Sequence, residues 1–185
     1  MKRILTLALL ALTSTTARAQ EIPLGSPLPE AGTLTATDGA ARPLAGLAGG
    51  SGTVLVTWNN ACPWVDRVEE RLVDLAAAYG DRFGFALIGP GTVAANAERA
   101  AAKSYAFPYL ADTGNAFARA LGAQRSATIF VFDGAGSLAY VGALDDSPTD
   151  ASRATVHYLK DALDAIAAGR PAPVTRTEAL GCLIR

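Results

Sequence analysis

GTVLVTWNNACPWVDRVEERLVDLAAAY, residues 52–79, joins two stretches of different period. Gly52 to Trp58 is β-branched and apolar on both faces, which is the pattern of a strand buried in the centre of a sheet. From Pro63 to Tyr79 the apolar residues Val65, Val68, Leu72, Leu75, Ala76 and Tyr79 recur at three- and four-residue spacing. Asp66, Arg67, Glu69, Glu70 and Arg71 fill the gaps, so the spacing predicts a helix with one apolar face inward and its charges outward. The loop Asn59–Ala61 and then Cys62 stand at the junction. Pro63 suits the first helical turn, because the N–H it lacks would have had no helical partner.

Elements of the same kind continue on either side. Gly80 closes the helix and Phe83 to Ile88 reads as a second buried strand, giving a βαβ unit with a right-handed crossover and a parallel pair. Residues 33–46 read as a hairpin around Asp38-Gly39. Further on come an alanine-rich helix over 93–105, a short extended piece at 109–111 and a brief helix at 115–121. Two strands, 128–133 and 137–141, are joined through Gly134-Ala135-Gly136. The last helix is predicted over about 151–168, burying Val156, Leu159, Leu163 and Ile166, with Gly169 as its cap and Pro171 just beyond. No repeat or linker interrupts this order. It implies one α/β domain over 33–170, with helices flanking a central mixed sheet in three layers. An extended lead-in over 20–32 precedes it, rich in proline, and an aperiodic tail over 171–185 carries Cys182.

Residues 1–19 differ in character. Lys2 and Arg3 precede an apolar run from Ile4 to Leu12 and an Ala17-Arg18-Ala19 ending, the pattern of a secretory signal peptide cleaved after Ala19. About nine strongly apolar residues fall well short of the roughly twenty that cross a bilayer, so no membrane insertion is expected after cleavage. The mature chain is expected to be periplasmic or secreted, where thiols pair readily.

Composition excludes several classes of function. The 185 residues carry 16 Lys and Arg against 17 Asp and Glu, a net charge of −1, with no block of one sign. That supports neither a nucleic-acid groove nor a polybasic membrane patch. His157 is the only histidine, so a zinc site of the usual type lacks ligands. It reads instead as a surface or half-buried helix residue. Gly49-Gly50-Ser51-Gly52 lacks the Lys-Ser/Thr ending of a phosphate loop and reads as a turn. Asp145 and Asp146 are adjacent carboxylates without further oxygen ligands, fitting a turn better than a cation site. No cofactor and no metal is expected.

What remains is the pair Cys62 and Cys182. A strand-to-helix junction aims backbone N–H groups and the positive end of a helix dipole at the Cys62 sulfur, favouring its thiolate, the nucleophilic form. Asp66 opposes that effect by charge repulsion.

The arrangement resembles the thioredoxin-like fold, and more narrowly an exported group of peroxiredoxin-like, redoxin-domain proteins of the AhpC/TSA-like kind. The pieces that carry the resemblance are N-x-C-P-W-V at 60–65, F-P-Y-L-A-D at 107–112, G-A-Q-R at 122–125 and F-V-F-D ending at Asp133. To these are added Y-V-G-A-L-D-D-S at 140–147 and the terminal G-C-L-I-R. The resemblance puts Cys62 at the attacking position of a C-x-x-C junction and Val65 where the second cysteine would stand. Asn59 occupies the place of the threonine three residues before a peroxidatic cysteine, so peroxidase activity is not supported. Ala127 falls where such folds commonly carry a cis-proline that docks substrate backbone. A cis bond before alanine costs about 2.5–4 kcal/mol, so a trans bond is expected. Trp58, Trp64, Arg125, Ser126 and Ala127 are the candidate docking residues.

Three roles for the cysteines stay open. Cys182 can resolve a mixed disulfide formed on Cys62, in exchange with a thiol or disulfide protein or a small thiol. A permanent Cys62–Cys182 bond would close a loop of 120 residues and, by chain entropy, contribute roughly 5 kcal/mol. A non-catalytic domain could instead dock a partner on a rim formed by Trp58 and Trp64.

Overall fold

The computed structural model describes residues 21–29 and 33–184. The expected signal peptide and the end of the lead-in lie outside the described residues. In chain order the elements are β1 (Leu34–Ala36), β2 (Ala41–Arg42), β3 (Gly52–Thr57), α1 (Pro63–Tyr79), β4 (Phe83–Gly89), α2 (Val93–Ala102), β5 (Tyr109–Ala111), α3 (Ala116–Ala120), β6 (Ile129–Asp133), β7 (Leu138–Gly142) and α4 (Tyr158–Ala167). The strands form one sheet in the order β2-β1-β5-β4-β3-β6-β7. β3 pairs in parallel with β4, and β4 with β5, while β3–β6, β6–β7, β1–β5 and β1–β2 are antiparallel. The sheet is therefore mixed, as the sequence implies.

β3 is buried throughout because both of its faces are covered. Val54, Val56 and Trp58 belong to one core, with Val65, Val68 and Leu72 of α1 and Leu159 and Leu163 of α4. Leu55 points into the other, with Ile88, Phe130 and Phe117 of α3. Alternation along a strand sends successive side chains to opposite faces. The result is a helix-covered sheet with Cys62 just beyond the carboxyl end of the interior strand β3.

Two helices are shorter than their sequence periods suggest. α2 ends at Ala102, where Ser104 takes a left-handed conformation (φ 53°) and turns Tyr105 back toward α1. The final helix begins at Tyr158 rather than near residue 151. Ala151–Arg153 form only a single 3-10 turn. The cause is competition from side chains. Asp150 Oδ1 accepts from the Ser152 N–H at 3.0 Å, and the Asp146 carboxylate accepts from Thr155 N–H at 2.9 Å and Oγ1 at 2.6 Å. Val156 is consequently 38% exposed rather than buried. His157 caps α4 from an exposed position. At the other end the expected glycine cap forms. Gly169 (φ 68°) and Arg170 donate to Ile166 and Ala165 respectively, the paired bonds of a Schellman motif.

Among its described residues the tail has no helix or strand of its own but follows a defined path. It first runs beside β7, where Val141 N–H donates to Thr175 O and Thr177 N–H to Val141 O, both at 3.0 Å. Gly142 admits this approach, since a Cβ there would lie 2.0 Å from Thr177 Oγ1. That hydroxyl accepts from Ala143 N–H at 2.8 Å and lies 2.9 Å from the Tyr140 hydroxyl. The Y-V-G-A segment is thus the anchor that directs the tail toward the end of β3.

Candidate active site

Cys62 is the N-cap of α1, and Pro63 occupies the first turn. The loop before it is held on several sides. Asn59 Oδ1 accepts from the Ala61 N–H at 3.0 Å, Cys62 N–H donates to Asn59 O at 2.9 Å, and Asn60 Oδ1 accepts from the Tyr109 hydroxyl at 3.0 Å. These bonds fix the sulfur at the helix start without any hydrogen-bonded cap from its side chain.

Cys62 and Cys182 form a disulfide, their Cα atoms 5.8 Å apart. Cys62 is 1% exposed, while Cys182 is half-buried. Val65, at the place of a second cysteine, is fully buried in the core.

The residues read as a docking surface hold the protein's own tail. Ser126 N–H donates to Cys182 O at 2.9 Å. The Cys182 N–H divides between Ser126 Oγ and Cys62 Sγ, each at 3.1 Å. Arg125 Nη1 donates to Gly181 O at 3.0 Å, so its guanidinium holds a carbonyl of the tail. Ala127 is in trans linkage with φ 60°, and its N–H donates to Thr57 O at 2.6 Å. No cis peptide occurs among the described residues.

The two tryptophans part company. Trp58, 2% exposed, is core rather than rim, and its buried indole N–H has no acceptor among the described residues. Trp64 is half-buried at the start of α1, with the Arg67 guanidinium 5.7 Å from its ring centre. They do not form a joint rim.

Electrostatics near the site depend on residues that the helical period alone misassigns. Asp66 is engaged by Arg99 Nη2 at 2.5 Å, which offsets its repulsion of a thiolate at Cys62. Glu69, predicted to face outward, is 3% exposed and receives Arg99 Nε and Lys103 Nζ, each at 2.9 Å, together with the Tyr105 hydroxyl. Burial pushes its pKa up, but the bonds from Tyr105, Lys103 and Arg99 outweigh it and hold the carboxyl below its ordinary value. For Arg99 burial also opposes the charge. The carboxylates of Asp66 and Glu69 outweigh that penalty and keep it protonated.

The two carboxylates considered for a cation are otherwise engaged. Asp145 is buried against Arg71 and accepts from the Ser147 N–H, while Asp146 closes the loop before α4. Hydrogen bonds from the Thr155 side chain and from backbone N–H groups lower the Asp146 pKa to about 2.

A mixed sheet of this order, with a helix-capping cysteine just beyond the interior strand β3, defines a thioredoxin-like α/β protein. The Redoxin family profile matches residues 23–159, and the chain belongs to that family. An uncharacterized conserved protein from Geobacillus kaustophilus shares 31% identity over 88% of this chain and 92% of its own, with a TM-score of 0.81. A hypothetical protein from Sinorhizobium meliloti 1021 shares 27% identity over 89% of this chain and 95% of its own, also at a TM-score of 0.81. In fold alone, a secreted disulfide oxidoreductase from Mycobacterium tuberculosis is similar at 20% identity, covering 74% of this chain and 94% of its own with a TM-score of 0.55. No curated protein matches the chain.

Proposed function

We propose that this protein is an exported thiol–disulfide exchange protein, periplasmic or secreted, in which Cys62 is the nucleophile and Cys182 resolves. The observation that carries the reading is the bond between a helix-capping sulfur and a cysteine on a tail seated chiefly through backbone hydrogen bonds. Such a seat can be vacated without unfolding the sheet.

In the reduced protein the Cys62 thiolate attacks a partner disulfide, and one partner sulfur leaves as a thiolate. Cys182 then attacks Cys62 Sγ, releasing the second partner thiolate and closing Cys62–Cys182. Two electrons pass from the protein dithiol to the partner. An external dithiol restores the pair most readily by attacking Cys182, the more accessible cysteine, because the helix start makes Cys62 the better leaving group. The N-terminal pattern of residues 1–19 supports export, and the two mature cysteines suit an oxidising compartment.

A permanent cross-link in a binding or structural domain is the rival reading, and the 1% exposure of Cys62 favours it. Alkylation of the reduced Cys182→Ser variant across a pH series separates the two. Exchange requires Cys62 to titrate below the free-thiol value of about 8.5. Titration at or above that value counts against catalysis.

A further inference from the structure

Residues 181–184 reach Cys62 along a strip formed by residues 124–126. Ile184 N–H donates to Gln124 O at 2.9 Å, Ser126 N–H to Cys182 O at 2.9 Å, and Arg125 and Leu183 pair as an antiparallel bridge. The carbonyl of Gly181 accepts from Arg125 Nη1 at 3.0 Å. On the tail side all of these bonds are made by backbone atoms. The flanking side chains are held loosely, Leu180 being 45% and Leu183 61% exposed. Any extended segment carrying a cysteine can in principle repeat this set of bonds.

One position is not permissive. A Cβ on residue 181 would stand 1.8 Å from Ser126 O and 2.7 Å from the Ser126 carbonyl carbon. Both are backbone atoms, in a residue 1% exposed whose own N–H and hydroxyl are engaged by Cys182. The carbonyl cannot swing aside as a flexible side chain would. Glycine is required here by space, since only glycine lacks the clashing atom.

We propose that the strip at 124–126 selects a glycine immediately before the cysteine that bonds Cys62. The preferred partner is then an extended protein segment bearing a disulfide at a Gly-Cys pair, and Gly181-Cys182 is the resident occupant of the same seat. This selectivity rests on the exchange reading. In the selected step the Cys62 thiolate attacks the sulfur of the partner's cysteine. The Cys62–partner bond forms, the partner's former S–S bond breaks, and the departing sulfur leaves as a thiolate with the bonding pair.

The test uses the full-length Cys182→Ser variant, reduced, with two synthetic peptides, Leu-Gly-Cys-Leu-Ile and Leu-Ala-Cys-Leu-Ile. Each peptide cysteine is supplied as a mixed disulfide with nitrothiobenzoate, whose coloured thiolate reports the attack. Reactivity of each peptide with free cysteine provides the normalisation. The glycine peptide is expected to react at least about tenfold faster, a modest effect for an overpacked contact. Equal normalised rates, whether fast or slow, overturn the selectivity. The symmetric nitrothiobenzoate disulfide, which carries no peptide, tests the underlying reading separately. If Cys62 is inert toward that reagent, exchange itself is contradicted.

Discussion

Gly181 and Ala127 show how closely the site depends on single backbone positions. The first has room for no side chain, and the second holds φ 60° while donating its N–H to Thr57 O. Proline at 127 would require a negative φ and would lose that bond, so this chain is built on a trans alanine where related folds commonly carry a cis-proline. The consequence for Gly181 is measurable in the intact protein. Gly181→Ala is expected to shift the Cys62–Cys182 equilibrium toward the dithiol by about tenfold or more in a fixed dithiothreitol buffer, because overpacking strains only the closed state. Unchanged closure would mean that Ser126 does not constrain the tail.

At the scale of elements, α1 and α2 are coupled through a buried charge cluster beside the cysteine. Glu69 has a pKa below its ordinary value of 4.5, so its contribution to stability is present above about that pH and is lost as pH falls through the folded-state value. Glu69→Gln is expected to lower stability at pH ~7 by about 1–3 kcal/mol. In urea denaturation the deficit should shrink as pH falls below 4.5 and through the lowered folded-state value. A deficit that stays constant with pH would refute the charge assignment. The sequence makes α1 legible through its apolar period, and β3 through its run of apolar residues on both faces. It does not make Glu69 legible. A period assigns a charged residue between core positions to solvent, and the partners that reverse this, Arg99, Lys103 and Tyr105, lie some thirty residues later. The helix expected over 151–168 shortens for a related reason. Asp146 and Asp150 offer the backbone side-chain hydrogen bonds that a reading of apolar spacing does not weigh.

Across the whole molecule, the tail converts a site otherwise open at the end of a sheet into a closed one. The sequence leaves a Cys62–Cys182 bond as one open possibility for its two cysteines, and the resemblance singles out Arg125, Ser126 and Ala127. The pairing of those docking residues with the chain's own tail is not legible, because residues 171–185 have no period and their path depends on contacts with Gly142 and Ser126. A cross-link spanning 120 residues stabilises by roughly 5 kcal/mol in the chain-entropy picture, enough to serve a purely structural role. A helix start that favours the Cys62 thiolate acts in the opposite direction, stabilising the reduced form and raising the potential. Which effect dominates decides between a staple and an exchange centre. The most direct measurement is the reduction potential of Cys62–Cys182 in the full-length protein, equilibrated in thiol–disulfide buffers and read by trapping the free thiols. An exchange centre is expected to lie above about −300 mV, whereas a value below that limit would identify a permanent cross-link and contradict the proposed activity.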